Sequence, residues 1–369
     1  MRVKFILFFV SLMLILSPKL MAKDIYNIAF IGNSTNAVSA TLFNTAELVW
    51  EEFNNSNSDA EIKGIYVNVT PGSNQTEEIK NIPNLLAVAG NLNESHKPLM
   101  GALKETPFIS IASGELVPEQ NEEYTIFRMC PGEISQSETL ARFIMFTLER
   151  RTFAVIYQEG APEYLKMAVA FGNMVKQNKR QMLYYKGVGK DQTDFEPILL
   201  RLRDMKIGVI FYAGDFVQAT ALAKQAYAMK LGALFASTDE INRPYFIGKG
   251  GRAAEGSVTT SVSPPFERMK KFRPFIGKFR KKFGAPDLHM PYDYDMANMI
   301  VAYVSLTKTG SPTVGLTQYL KETVFEGILG KVSFDAKGFR KEDKSYIYIV
   351  AKKAFIHRKI GGEDKEYSK

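Results

Sequence analysis

The stretch TFAVIYQEGAPEYLKMAVAFGNMVKQNKRQMLYY, residues 152–185, decides the fold class of this chain. It starts with a short apolar, β-branched run, Thr152 to Tyr157, and closes with a second run, Met182 to Tyr185. Between them, Glu163 to Val175 carries apolar residues at helical spacing. The order strand, helix, strand favours parallel pairing, because a helix must return the chain to the same end of the sheet. We therefore predict an α/β protein.

The same alternation continues on both sides of this unit. Further strands are predicted at Ile25 to Ile31, Ile65 to Val69, Leu85 to Val88, Phe108 to Ile111 and Gly208 to Tyr212. Thr193 to Glu196 has the spacing of a capping box and predicts a helix start there. After Pro264-Pro265 come three helical segments and a late pair of strands. The helices are predicted at roughly Arg268 to Phe283, Tyr292 to Lys308 and Val314 to Val324, and the strands at Lys331 to Phe334 and Ser345 to Val350. This order suits a chain that leaves a second lobe and returns to its first.

The first 22 residues have the pattern of a secretory signal peptide. Arg2 and Lys4 precede an apolar run from Phe5 to Leu16, and a small residue, Ala22, ends the segment. The alternative is an uncleaved anchor, but the run is shorter than the ~20 residues that a membrane span requires. We predict export to the periplasm, with cleavage after Ala22.

Composition limits the partners of the chain. Its 369 residues are enough for two domains, and the single Cys130 cannot form an internal disulfide. Loss of Arg2, Lys4 and Lys19 with the leader lowers the formal net charge from +8 to about +5. An exported protein with this mild excess is expected to meet anionic surfaces rather than nucleic acid.

Motifs for catalysis are weak. The three histidines, His96, His289 and His357, lack metal-ligand spacing, and no G-x-S-x-G sequence is present. Cys130 has no histidine near it in sequence, so we expect a buried, unreactive thiol. We therefore predict no enzymatic activity, no metal and no cofactor.

Several segments, taken in order, resemble the type I periplasmic substrate-binding proteins, particularly those of branched-chain amino-acid (Leu/Ile/Val) ABC transporters. The resembling segments are Thr106 to Ser113, Ile126 to Pro131 with Ser135 to Ser137, Phe153 to Tyr157 with Glu163-Tyr164, Gly208 to Gly214, Ala254 to Gly256, and Gly330 to Asp335 with Gly338.

The resemblance implies two Rossmann-like lobes with parallel central sheets, joined by a three-segment hinge near Arg128, Val262 and Val332. We place lobe 1 at 23–128 and 263–331, and lobe 2 at 129–262 and 332–369. Such a protein captures a small polar ligand between its lobes, here an amino acid or a related compound, and delivers it to an ABC transporter permease. We expect a monomer.

On lobe 1, the resemblance assigns Ser95, Ser113 and Gly114 to the carboxylate of the ligand. Ser95 and Ser113 stand at predicted strand-to-helix junctions, where free backbone N–H groups favour an anion. For Ser95 a plain N-cap role is the alternative.

On lobe 2, Asp239 follows a predicted strand at Leu234 to Ala236 and matches the family's acidic position for the ligand ammonium. The neighbouring Glu240 is a second candidate. A turn residue is the alternative for Asp239. A buried carboxylate without a partner is costly, so an Asp in the cleft favours a cationic group on the ligand.

Further candidate contacts on lobe 2 are Tyr164, Gly214, Asp215 and Phe216. For Asp215 an N-cap is the alternative. Phe216 could pack over an apolar side chain, and Tyr164 lies near the tyrosine-glycine contact of the family.

The segment Arg268 to Phe283 is strongly basic. Its four phenylalanines are spaced as a buried stripe, which leaves the charges in solvent. A contact with anionic partners or membrane head groups is the alternative.

The first loop departs from the family pattern. The aromatic residue that the family often places over the ligand is absent, and Ser39 or Ala40 stands near its position. This departure keeps open a second hypothesis, in which the lobes act as a sensor or as a regulator of cell-wall synthesis through a protein partner.

Overall fold

The computed structural model describes residues 23–33, 35–57, 59–68, 75–112, 114, 125–307, 314–342 and 344–358. The predicted signal peptide and Ser113 lie outside these ranges. The strands are β1 Asp24–Gly32, β2 Ala60–Asn68, β3 Leu85–Gly90, β4 Phe108–Ser110, β5 Ile126–Arg128, β6 Thr152–Gln158, β7 Gln181–Val188, β8 Val209–Ala213, β9 Leu234–Ser237, β10 Val258–Ser261, β11 Phe325–Gly327, β12 Gly330–Val332, β13 Tyr346–Ala351 and β14 Ala354–Arg358. The helices are α1 Ala37–Ser56, α2 Gln75–Lys80, α3 Lys97–Ala102, α4 Glu133–Arg142, α5 Pro162–Gln177, α6 Glu196–Asp204, α7 Phe216–Ala228, α8 Pro244–Gly250, α9 Arg273–Phe283, α10 Met290–Thr307 and α11 Leu316–Glu322.

Two separate sheets form the centres of the two halves. The first has the order β2-β1-β3-β4-β5, and all its pairings are parallel. The second has the order β14-β13-β10-β9-β8-β6-β7. Its strands β6 to β10 pair in parallel, while β13 and β14 are antiparallel. The predicted α/β class with parallel central sheets is confirmed.

Each sheet is covered by helices on both faces. One face of the first sheet shares a core with α1, α9, α10 and α11, and the other packs against α2 and α3. Helices α4 and α5 cover one face of the second sheet, and α6, α7 and α8 cover the other. The helices are needed on both faces because parallel strands are apolar on both sides.

The chain stays in contact with the first sheet beyond the predicted third crossing near Val332. Val332 and Phe334 are buried in the core that contains α1 and α10. The backbone N–H of Arg128 in β5 donates to the carbonyl of Gly338 at 2.8 Å, and Arg340 returns a bond to the Arg128 carbonyl at 3.2 Å. We therefore propose that the last segment of lobe 1 is 263–340 rather than 263–331. The other predicted boundaries, at 128/129 and 262/263, are kept in this proposal.

Local signals were partly misassigned. The helix predicted to start at Thr193 to Glu196 does begin there, at Glu196, but the capping box is not formed: Phe195 is the N-cap and makes no side-chain capping bond. Asp194, one residue earlier, accepts a hydrogen bond from the N–H of Glu196 at 3.0 Å. The helix predicted from Arg268 begins only at Arg273, after a short 3-10 turn at Phe266–Arg268. Strand β14 was missed, since its burial alternates and its apolar run is short.

The basic segment buries its aromatic side chains. Phe272, Phe275 and Phe279 are buried in the first core, and Phe283 packs against it. Three of the cations pair with glutamates, in the pairs Lys278–Glu52, Arg280–Glu267 and Lys282–Glu51. Within the described ranges, none of the helices combines the length and apolar character that a membrane crossing requires.

Candidate ligand-binding cleft

An open cavity of about 520 Å³ lies between the two halves. This is within the range of about 300–1,000 Å³ typical of small-molecule sites. Most of its wall follows the carboxyl ends of parallel strands, where open α/β sheets bind ligands. The described residues that line it are Val38, Asn91, Asn93, Ser95, Ala112, Gly114, Glu133, Pro162, Glu163, Lys166, Asp239, Glu240, Arg243 and His289.

The loop after β3 supplies polar groups from lobe 1. Ser95 lines the cleft and is exposed. Its hydroxyl donates to Oδ1 of Asn93 at 2.7 Å, and its backbone N–H donates to the same atom at 3.1 Å. Asn93 therefore organises this turn, and Ser95 does not act as an N-cap through its side chain. Ser95 and Asn93 stand at the cavity wall, available to a ligand.

The loop after β4 reaches the cleft through Ala112 and Gly114. Gly114 faces lobe 2 closely: a Cβ built on it would lie 4.0 Å from Oε1 of Glu133. Ser113, predicted to act with Gly114, lies outside the described residues. The first loop contributes Val38, one residue before the predicted Ser39 position, and Ser39 itself is buried.

Asp239 and Glu240 follow β9 in a 3-10 turn, Asp239–Ile241, and both line the cleft. Burial raises the pKa of Asp239, opposed chiefly by the positive charge of His289 across the cleft. Burial and the negative charge of Asp239 raise the pKa of Glu240 to about 7. Arg243 lies next to Glu240, with Nη2 3.9 Å from Oε2. The two predicted acidic candidates thus share one wall.

Two further carboxylates, not predicted from the sequence, line the same cavity. Glu133 opens α4 directly after β5, and Glu163 opens α5 after β6. Burial and the charges of Asp239, Glu163 and Glu240 raise the pKa of Glu133 to about 8. Their position in the sequence could have indicated them, because both residues lie where a parallel strand is followed by a helix, as Ser95 does.

Four predicted contacts do not line the cavity. Asp215 is the N-cap of α7, accepting from the N–H groups of Val217 at 2.8 Å and Gln218 at 2.9 Å. Gly214 is buried, and a Cβ there would collide with the ring of Tyr212. Phe216 packs against Tyr245 and carries the Arg243 guanidinium 5.3 Å from its ring centroid. Tyr164 packs against the core of α4 and α5.

A family model described as periplasmic binding protein matches residues 81–354. The chain belongs to the periplasmic binding protein family. The leucine-specific-binding protein of Salmonella typhimurium is 25% identical over 258 residues, 68% of each chain. A leucine binding protein from Thermotoga maritima superposes with a TM-score of 0.71 at 18% identity, covering 90% of this chain and 98% of that one. A solute binding protein from R. palustris, solved with benzoate, gives 0.66 at 12% identity, covering 90% and 94%.

The structural neighbours confirm the type I periplasmic-binding-protein fold that the sequence predicted. Periplasmic binding proteins are substrate-binding proteins rather than enzymes, and their location is the periplasm. Across the described residues, no group of three or more His, Cys, Asp or Glu side chains is placed to hold a metal ion.

One buried cluster beside the cleft of this periplasmic binding protein was not predicted. His289 lies between Asp287 and Cys130, although Cys130 has no histidine near it in sequence. Burial raises the pKa of the Cys130 thiol, which is 1% exposed and donates to the carbonyl of Ile111 at 2.9 Å. These features agree with a buried, protonated thiol.

Proposed function

We propose that this periplasmic binding protein captures an amino acid or a related small polar compound between its lobes and delivers it to an ABC transporter permease. The observation that carries the proposal is the open cleft, which collects polar groups of lobe 1 and charged groups of lobe 2 around one space. Relatives named for leucine, and a structural neighbour that holds benzoate, support a small organic ligand.

We infer that the lobe-1 wall and the lobe-2 wall of the cleft bind different groups of the ligand. Ser95 and the backbone at Gly114 face the carboxylate of the ligand, and Asp239, with Glu240 beside it, faces the ammonium. Both lobes must meet for the two sets of groups to act together, so ligand binding favours the closed arrangement.

The alternative of a sensor or regulator with a protein partner is less well supported. A cleft of this size, with polar groups converging from both halves, is suited to a small ligand. The absent aromatic residue of the first loop changes the wall, but Val38 still contributes to it.

A thermal-shift screen of the purified protein against amino acids, amides and short peptides tests solute capture. A ligand at 100 times its Kd stabilises a folded protein by about 2.7 kcal/mol, so a tight ligand is easily detected. Asp239→Asn should abolish the shift while leaving the unliganded melting temperature close to wild type. The control is Asp204→Asn, an exposed carboxylate on α6. Full-strength binding by Asp239→Asn would show that Asp239 is not the ammonium partner.

Two finer features of the proposal can be tested separately. N-terminal sequencing of the exported protein should begin at Lys23 if the leader is cleaved after Ala22. The segment Arg268 to Phe283 is proposed to contact anionic surfaces. Its exposed cations outside the three glutamate pairs, among them Lys270, Lys271 and Lys281, would make that contact. Sedimentation with anionic vesicles, compared with neutral ones, tests that contact.

A further inference from the structure

Few of the described residues that line the cleft carry apolar side chains. Among the described residues that line it, only Val38, Ala112 and Pro162 present apolar side chains. A branched aliphatic side chain gains its affinity from burial against apolar walls, at about 25 cal/mol per Å². The described wall therefore offers an aliphatic side chain few apolar side chains as partners.

Carboxylates dominate the lobe-2 wall. Glu133, Glu163, Asp239 and Glu240 come from three separate elements and line the same cavity. Two of them have a protein cation nearby: Arg243 lies beside Glu240, and His289 acts on Asp239. Within the described ranges, no ion pair is formed by Glu133 or Glu163. Lys166, the remaining cation of the wall, is exposed, and its charge is the weakest of the influences on the pKa of Glu133.

The space in front of Glu133 is kept open by the opposite lobe. Gly114 has no side chain, and a Cβ there would stand only 4.0 Å from the Glu133 carboxylate. That distance is an ordinary van der Waals contact, and no other heavy atom lies within 4 Å of this Cβ position. A group on the ligand can therefore reach this carboxylate from the lobe-1 side.

Burial and the neighbouring charges of Asp239, Glu163 and Glu240 raise the pKa of Glu133 to about 8, with Lys166 opposing them. In the empty cleft at neutral pH, Glu133 is therefore mostly protonated. A positive group brought within about 4–6 Å favours the ionised form. Such a ligand would release the proton as it binds.

We propose that the ligand is an amino acid with a positively charged side chain, whose cationic end lies between Glu133 and Glu163 while its α-ammonium faces Asp239. The proposal rests on the solute-capture function proposed above and specifies its ligand class. The cationic side chain of the ligand then faces Glu133 and Glu163, the two carboxylates of the wall that form no ion pair within the described ranges.

Isothermal titration calorimetry at pH 8 with defined probes tests the ligand class. L-Arginine or L-lysine should bind at least about 30-fold more tightly than L-citrulline, the neutral isostere of arginine, and than L-leucine. Agmatine and cadaverine, which lack the carboxylate, should bind more weakly than their parent amino acids. Citrulline or leucine binding as tightly as arginine and lysine overturns the proposal but leaves solute capture standing. If agmatine or cadaverine binds as tightly as its parent amino acid, the ligand need not be an amino acid, and that part of the proposal is overturned. If neither arginine nor lysine binds, the proposed class of ligands with a positively charged side chain is overturned.

A matched pair of variants locates the cationic end. Glu133→Gln should weaken arginine or lysine binding at least about tenfold and should suppress proton release, seen as loss of the buffer dependence of the binding enthalpy. Glu196→Gln, an exposed glutamate on α6, should bind like wild type. Unchanged affinity and unchanged proton release in Glu133→Gln would overturn the assignment. A thermal melt of each variant without ligand shows that the fold is kept.

If the broader thermal-shift screen finds only neutral ligands, the cationic class fails while solute capture holds. If neither cationic nor neutral compounds bind, both proposals fail together.

Discussion

Asp287 and His289 form a close pair beside the cleft, with Nδ1 of His289 2.5 Å from Oδ1 of Asp287. Burial alone would lower the pKa of His289, but the charge of Asp287 and this hydrogen bond raise it well above its usual value. Burial alone would raise the pKa of Asp287, and the imidazolium lowers it instead. The lobe-1 wall therefore carries a fixed positive charge opposite Asp239.

Replacing Asp287 by Asn should remove that fixed charge. Without the carboxylate, burial dominates, and the pKa of His289 should fall by about one unit or more. An NMR titration of the imidazole signals measures the change. His96, which bonds with Asn93 rather than Asp287, serves as an internal control and should not move. An unchanged His289 titration would contradict the role assigned to Asp287.

The stability of the ligand-free protein should fall as the pH rises from 5 to 8. The pKa of Glu133 is raised from 4.5 to about 8 and that of Glu240 from 4.5 to about 7. The folded chain thus holds protons that the unfolded chain has released, and folding becomes less favourable with increasing pH. Asp295, with its pKa raised to about 7 by burial, acts in the same direction.

Urea unfolding at several pH values measures this slope. Glu133→Gln cannot titrate and should flatten the decline, whereas Glu196→Gln should keep the wild-type slope. A stability that rises between pH 5 and 8, or an unaltered slope in Glu133→Gln, would be the contrary result.

Gly338→Ala should destabilise the protein. Gly338 has a φ of +81°, and a Cβ there would collide with the carbonyl oxygen of Ile126. The backbone strain alone costs about 1–3 kcal/mol, so the free energy of unfolding should fall by at least that amount. Gly277→Ala is the control: this exposed helical glycine has no atom within 4 Å of the added Cβ and should gain about 0.5–1 kcal/mol. Equal stability of the two variants in urea titrations would refute the close approach at Gly338.

Trp50→Phe should weaken lobe 1. The indole is 1% exposed, and its Nε1–H donates to the carbonyl of Ala297 in α10 at 3.1 Å. The Ala297 carbonyl keeps its helical bond within α10, but the change removes the indole hydrogen bond and leaves a small cavity in the core, which together cost about 1–3 kcal/mol. Tyr26→Phe, which removes a half-buried hydroxyl contact to Thr307, should cost less. Circular dichroism during urea unfolding compares them, and a larger loss for Tyr26→Phe would contradict the prediction.

Sequence patterns were sufficient to predict helices and strands whose formation depends on residues near in sequence. Residues 152–185 predicted β6, α5 and β7, because apolar periodicity depends only on residues near in sequence. Asp215 shows the limit of such arguments: its N-cap and ligand hypotheses were both open from sequence, and the structure shows it capping α7 outside the cleft wall.

Tertiary contacts decided the make-up of the cleft. Asp239 and Ser95 were found from sequence because each follows a predicted strand within a resembling pattern. The sequence did not indicate four other residues that line the cleft, because they come from different elements and only the fold brings them to one cavity. These residues are Glu133, Glu163, Arg243 and His289.

By itself, the sequence determined the α/β class, because periodic burial is a local property, and its resemblance to known binding proteins indicated the family and solute capture. Only the tertiary structure placed four carboxylates on one wall, His289 opposite them and Gly338 against β5. Charge interactions and close backbone approaches act through space, over distances that sequence separation does not encode.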